Sequence, residues 1–192
     1  IPVDNENRAC AVIEKDSETS SGDWLLLNLN MDETFVRIDN RLVHGQILEG
    51  WVPFLGVSRI VVVDDEVAGD IFRETVIKMA VPYDIEVIVF SVDEFACDYH
   101  YGDNDGKRAI ILFQNIADAH RAYRLGFRFG ELNIGNIHFE SDRVCCSSSI
   151  YLNRKDIADL EFLAGEGVHI ELRSVPRDRP VEFISVMKKI DS

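Results

Sequence analysis

The chain has 192 residues, enough for one α/β domain with a sizeable core, and its hydrophobic share of 46% is ordinary for a soluble globular protein. A net charge of −14 without any Lys/Arg-rich run argues against nucleic acid and anionic membranes, because both need a basic patch. No apolar run reaches the roughly 18 residues that cross a bilayer, and no basic start leads into an apolar stretch as in a secretory signal. The expected compartment is the cytoplasm.

Residues 1–31 are polar, acidic and aperiodic apart from the apolar burst Trp24-Leu25-Leu26-Leu27. They read as a flexible acidic extension, and Met31 as the natural start of a core domain over residues 32–192. Phe35-Val36-Arg37-Ile38 is a short β-type run. It leads through Asp39-Asn40-Arg41 to His44 and Gly45, and from Gln46 to Leu55 the apolar spacing is helical, with Pro53 expected to end or kink the helix.

Ser58 to Val63 is a β-branched run of the kind buried on both faces of a parallel sheet. Asp64-Asp65-Glu66 follows it, where carboxylates cap the next helix, predicted over residues 68–80. Further strands are predicted at residues 85–90, 109–113, 132–137 and 168–172, the last one alternating and hence nearer an edge. Helices are predicted from Ser91 with a Ser91/Glu94 capping box, over 116–125 with Gly126 as C-cap, from Asn153 to about 164, and over 181–190. A turn-rich loop is expected at residues 102–106, and residues 149–152 read as extended.

Repeated β–α units with short connections give the expected fold class. It is a single-domain α/β protein with an open, mostly parallel, doubly wound sheet, helices on both faces and a late edge strand. Ligands bind beyond the carboxyl ends of such strands. His44, Asp64, Gln114 and Gly135-Asn136 all belong to that rim.

His44 is the leading candidate for chemistry. Neutral imidazole is a nucleophile that supports covalent intermediates, and a strand-to-helix turn offers backbone N–H groups to an anion. Arg41 can stabilise a phosphoryl group there, and Asp39, acceptor-only when ionised, can fix the imidazole tautomer or orient an arginine. His100, His120 and His169 read as surface or packing histidines, whereas His138 is a candidate to approach the rim. Asp64 and Asp65 resemble a carboxylate pair, but helix capping is the better explanation of both. Cys10, Cys97, Cys145 and Cys146 fit no disulfide, redox or zinc spacing and read as buried or partly buried thiols. No metal-ligand spacing, G-x-G-x-x-G, P-loop or G-x-S-x-G elbow occurs.

The segments FVRIDNRLVHGQ, SRIVVVDDEVAGD, ELNIGNIHF and GVHIELRSVP, in this order, resemble the mannose/sorbose-family enzyme IIB of the bacterial phosphoenolpyruvate-dependent sugar phosphotransferase system. The resemblance runs from about Thr34 to Ile190. It implies a cytoplasmic phosphocarrier, a protein-Npi-phosphohistidine–sugar phosphotransferase. Such a protein takes a phosphoryl group from a phosphohistidine IIA partner and passes it to a sugar held by membrane IIC/IID partners. The phosphorylated histidine falls on His44, with Nδ1 the expected atom. The motif's Arg41 and Asp39 fall beside it, and Arg37, Gly45, Gln46, Asp64, Gly135 and Asn136 are expected to support the loop. Neither metal, nucleotide nor other cofactor is implied, and self-association into a homo-oligomer is compatible. Two positions depart from the family pattern: Asn40, where many members carry Asp, and the Cys145–Ser149 segment. A regulatory phosphoprotein that phosphorylates no sugar is the alternative reading.

Overall fold

Strand β1 (Thr34–Asp39) lies at the centre of a seven-stranded sheet in the structure, a computed structural model that describes residues 34–99 and 107–190. The acidic extension, Cys10, His100 and the 102–106 loop lie outside the described residues. The other strands are β2 (Arg59–Val63), β3 (Glu86–Phe90), β4 (Ala109–Phe113), β5 (Glu131–Asn136), β8 (His169–Leu172) and β9 (Val181–Glu182). They run in the order β3-β2-β4-β1-β5-β8-β9. Every pairing is parallel except β8 with β9. A separate antiparallel hairpin joins β6 (Val144–Ser147) to β7 (Ile150–Leu152).

Strands β2 and β4 are apolar along almost their whole length because both faces of the sheet are covered there. All five residues of β4 are buried, as are four of five in β2. One face packs Val36, Ile38, Val61 and Ile111 under α5 (Val92–Asp98), α6 (Ile116–Leu125), α7 (Arg154–Gly165) and α8 (Phe183–Ile190). The other packs Ile60, Val62, Ile110 and Leu112 under α1 (Gln46–Trp51), α2 (Val52–Leu55) and α3 (Asp65–Ala68). Successive strand residues point to opposite faces, so Phe35, Arg37 and Asp39 of β1 share the α1 side. Trp51 stacks on Phe35 at 4.9 Å there.

Local signals place most helix ends. Asn115 and Asn153 cap α6 and α7, Ser91 and Glu94 form the expected capping box, and Gly126 ends α6 in the left-handed region at φ 119°. Four expectations are corrected. The helix read over 68–80 is two, α3 and α4 (Ile71–Ala80), because Asp70 starts a new cap after Gly69. Residues 181–182 add strand β9 before α8, and β6 was not foreseen. Pro53, expected to end or kink the first helix, does not end it, and the helical type changes from π to α beside it. Lacking an N–H, it leaves the preceding carbonyls to re-pair, and α1 is π-helical, with Val52 N–H donating to Ile47. Cys97 and Cys145 are exposed rather than buried.

The chain leaves β1 toward β2 on one side and leaves β5 toward β8 on the other. Diverging connections open a crevice at the carboxyl ends of β1 and β5. The loop carrying His44 sits at that point.

Candidate functional site

Asp39 ends β1 fully buried and is the hub of the loop. Its Oδ2 accepts from Arg37 Nη2 at 2.9 Å, Arg41 Nη2 at 3.3 Å and His44 Nε2 at 3.1 Å. Its Oδ1 accepts from Arg41 Nε at 3.1 Å and from the Arg41 backbone N–H at 3.2 Å. Burial pushes the carboxyl up, but hydrogen bonds from His44 and Arg41 and the charge of Arg37 outweigh it. Together they hold Asp39 well below the usual carboxylate range. The turn is completed by Leu42, whose N–H donates to the Asp39 carbonyl and whose φ is +53°. A non-glycine residue there is strained by about 1 kcal/mol or more, and Leu42 is held in place by its own burial.

Beneath Asp39 lies Arg37, also fully buried. Its guanidinium donates to the Asn133 side chain, to the Arg173 and Ser174 carbonyls at 3.0 Å each, and to Asp39, and it stacks 4.8 Å from the Trp51 ring centroid. Burial lowers the Arg37 pKa and Asp39 opposes that fall. The glycine in β5 has a steric reason. The β1–β5 register slips between Ile38 and Asp39, and a Cβ on Gly135 would overlap the Arg37 guanidinium.

His44 stands above this pair with 17% of its side chain exposed. An ionised carboxylate only accepts, so the 3.1 Å contact places the proton of the neutral ring on Nε2. The lone pair is then on Nδ1, which the Gln46 backbone N–H approaches at 3.3 Å. Gln46 Oε1 in turn accepts from Arg41 Nη2 at 2.9 Å. Gly45 is exposed, and a Cβ there would meet nothing within 4 Å.

Of the residues singled out from sequence, Arg37, Asp39, Arg41, His44 and Gln46 form one connected network, with Gly135 against it. Asn136 accepts the Asn40 N–H at its carbonyl, 3.0 Å away. Asp64 caps α3 through the Val67 N–H at 2.8 Å, and its strand lies two places from β1. Asp65 binds the Val92 N–H and Arg121. His138 reaches the rim through its backbone N–H, which donates to Asn40 Oδ1 at 2.6 Å, and through its ring Nδ1, 3.4 Å from Asn136 Nδ2. His120 pairs with Asp159 and packs on Phe162, and His169 pairs with Glu182.

Sequence reasoning missed Asn133, Trp51 and Ser174 as parts of the site. Ser174 is a junction: its carbonyl also takes the Trp51 Nε1–H at 3.1 Å, and its hydroxyl pairs with Ser149. The period-two pattern of β1, which turns Arg37 toward the Trp51 side, was the available signal. A cleft of about 580 Å³ flanks the loop, between Gly45, Gln46 and Glu49 on one side and Val175, Pro176 and Arg177 on the other. The arrangement can present an imidazole nitrogen as a nucleophile beside backbone N–H and guanidinium donors. No helix among the described residues is long and apolar enough to cross a membrane.

The family model described as "PTS system sorbose subfamily IIB component" matches residues 33–192. The chain is 32% identical over 160 residues to the PTS system fructose-specific EIIB component of Bacillus subtilis (strain 168), covering 83% of this chain and 98% of that one. It is 32% identical over 155 residues to the PTS system mannose-specific EIIAB component of Escherichia coli (strain K12), covering 81% of this chain and 48% of that longer one. The solved IIBSor domain of the sorbose permease from Klebsiella pneumoniae superposes with a TM-score of 0.75 at 28% identity, over 82% of this chain and 97% of that one. The chain belongs to the sorbose-subfamily IIB components of the phosphotransferase system.

Proposed function

We propose that His44 carries the phosphoryl group of this phosphotransferase, taking it at Nδ1 from a phosphohistidine on a IIA partner. The observation that carries this reading is the Asp39–His44 contact, which keeps the ring proton on Nε2 and so leaves Nδ1 the unprotonated nitrogen. That nitrogen is able to attack phosphorus as the Gln46 N–H moves from its lone pair to the incoming phosphoryl oxygens. The new P–N bond forms as the donor's P–N bond breaks, and the donor imidazole keeps the released electron pair. The phosphoryl group brings about two negative charges. The Gln46 N–H beside Nδ1 and the Arg41 guanidinium next to it are the groups able to meet them. Asp39 holds the ring orientation, and Arg37 holds Asp39. In the second half-reaction a sugar hydroxyl, presented by membrane IIC/IID partners, attacks the phosphoryl group. Nδ1 keeps its electron pair, and the hydroxyl's proton leaves to a base or to water.

Positioning and electrostatics suffice for such a transfer. The joined A and B designation of the Escherichia coli relative supports a IIA donor. The sugar-specific names of the relatives favour transport over a purely regulatory phosphoprotein. A cytoplasmic location follows from that role. The test is labelling with phosphoenolpyruvate, enzyme I, the histidine carrier protein and a IIA. Wild type is expected to gain an acid-labile, base-stable phosphate that His44→Ala lacks. Equal labelling of the variant would show that another residue is the acceptor.

A further inference from the structure

We infer that Arg177, on the rim of the cleft beside His44, docks the phosphoryl donor by attracting the face of that partner made anionic by its phosphoryl group; this rests on His44 being the phosphoryl acceptor.

The charge around the cleft runs against that of the molecule. The chain carries −14, yet Arg37, Arg41, Arg173, Arg177 and Arg179 stand around the His44 loop and the segment after β8. Among the described residues, Asp39, Glu49, Glu171 and Asp178 oppose them, and Glu171 is engaged by Asn133 behind Arg37. Three of these arginines are already engaged. Arg37 and Arg41 are bound to Asp39. Arg173 stacks on Trp51 at 5.5 Å and Phe54 at 5.3 Å and donates to the Pro176 carbonyl. Arg177 and Arg179 are exposed and form no ion pair with another described residue. Of the two, Arg177 lines the cleft together with Gly45 and Gln46, the two residues that follow His44.

The segment that bears Arg177 is braced. Asp178 N–H donates to the Val175 carbonyl at 3.0 Å, and the Asp178 carboxylate accepts the Val175 N–H at 3.3 Å. Pro176 leans on α1 at Gly50, where an added Cβ would sit 3.5 Å from its ring. Arg177 therefore extends from a braced backbone at the mouth of the site, and the carboxylate of its neighbour Asp178 is engaged by the Val175 N–H.

The two partners differ in what they bring. The donor arrives carrying a phosphoryl dianion, whereas the acceptor offers a neutral hydroxyl, so an unengaged cation complements the donor. After transfer the negative charge resides on His44 and the donor has lost it, which weakens the attraction and favours release. A rim charge of this kind changes encounter rate and salt dependence and leaves the chemical step alone.

The experiment follows His44 labelling against the concentration of phosphorylated IIA from the source genome, for wild type, Arg177→Gln and Arg177→Glu. At about 0.05 M salt, Arg177→Glu is expected to raise KM about tenfold and Arg177→Gln by less, with kcat and phosphohistidine lifetime unchanged. The differences should shrink at about 0.5 M salt. Equal KM in all three proteins, with His44 labelled, overturns the docking role and leaves the proposed function standing. A fall in kcat or in phosphohistidine lifetime without a KM change also overturns it, because Arg177 would then act on the phosphoryl group. An effect seen only when permease membranes and sugar are added assigns the cleft to the acceptor and overturns it as well. Wild type that takes no label at His44 removes the proposed function and this inference together.

Discussion

The guanidinium of Arg37 occupies the space that a side chain at position 135 would need: a Cβ built on Gly135 would overlap its Nη1, Nη2 and Cζ. β5 can pair with β1 and cover the buried Arg37–Asp39 pair only if residue 135 is glycine. Gly135→Ala must either push Arg37 off Asp39 or part the strands. We expect a loss of about 3 kcal/mol, in the range of overpacked cores and broken buried pairs. Gly45→Ala is the control, since its backbone is already helical at φ −51° and open space surrounds it. That variant should be neutral or stabilised by about 0.5 kcal/mol. Urea midpoints of the two variants check the contrast, and equal midpoints would contradict the steric account.

Asp39→Asn keeps the shape of the side chain and removes its charge. The amide can no longer accept from every neighbour that Asp39 accepts from, so the Nε2–H tautomer of His44 loses its support. By analogy with other carboxylate-oriented histidines, labelling of His44 should slow by about 10²–10⁴-fold. Arg37 would also be left buried without a carboxylate, so the variant should unfold at lower urea. The informative readout is the labelling rate per mole of folded protein, which separates the two effects. Labelling at the wild-type rate would remove Asp39 from the mechanism.

Acid should unfold the protein partly through the same residue. Asp39 is held below its ordinary value in the folded state, so the unfolded chain binds a proton first as pH falls. Its stabilising contribution is present above about pH 4, the unfolded carboxylate value, and is lost as pH falls further toward the depressed folded value. Urea unfolding of wild type and Asp39→Asn between pH 6 and pH 3 measures this. The stability gap is expected to narrow as pH drops, and a constant gap would mean that Asp39 titrates normally.

What the sequence revealed and what it hid divide along the range of the interactions. The strand–turn–helix pattern from Phe35 to Trp51 is local, and it placed His44 at the carboxyl end of β1. Period two also put Arg37 and Asp39 on one face. The partners that make the pair stable come from 96, 136 and 137 residues away, and neither register nor strand order is written locally. Asp64 shares the rim in any parallel sheet, but the order β2-β4-β1 sets it two strands from His44. Pro53 reads as a stop or kink in any window, whereas in the structure a π-turn over Gln46–Trp51, with Ile47 and Trp51 buried, leads into a further α-helical turn across it.

Asn40 is held by contacts of the same long range. Its Nδ2 donates to the Gln114 carbonyl at the end of β4 at 2.7 Å, and its Oδ1 accepts the His138 N–H beyond β5 at 2.6 Å. One amide thus ties together the two strands that flank β1, and both a donor and an acceptor are needed. An aspartate supplies only acceptors when ionised, so Asn40→Asp would set a carboxylate oxygen against the Gln114 carbonyl. The expected cost at neutral pH is about 1–2 kcal/mol, that of a lost part-buried hydrogen bond with an unsatisfied group. Protonation would restore a donor, so the deficit relative to wild type should shrink as pH falls through the carboxyl's own titration. Comparing the two proteins at each pH cancels the Asp39 effect they share. A deficit that stays constant or grows in acid would contradict this account, because protonation both restores the donor and removes the added charge.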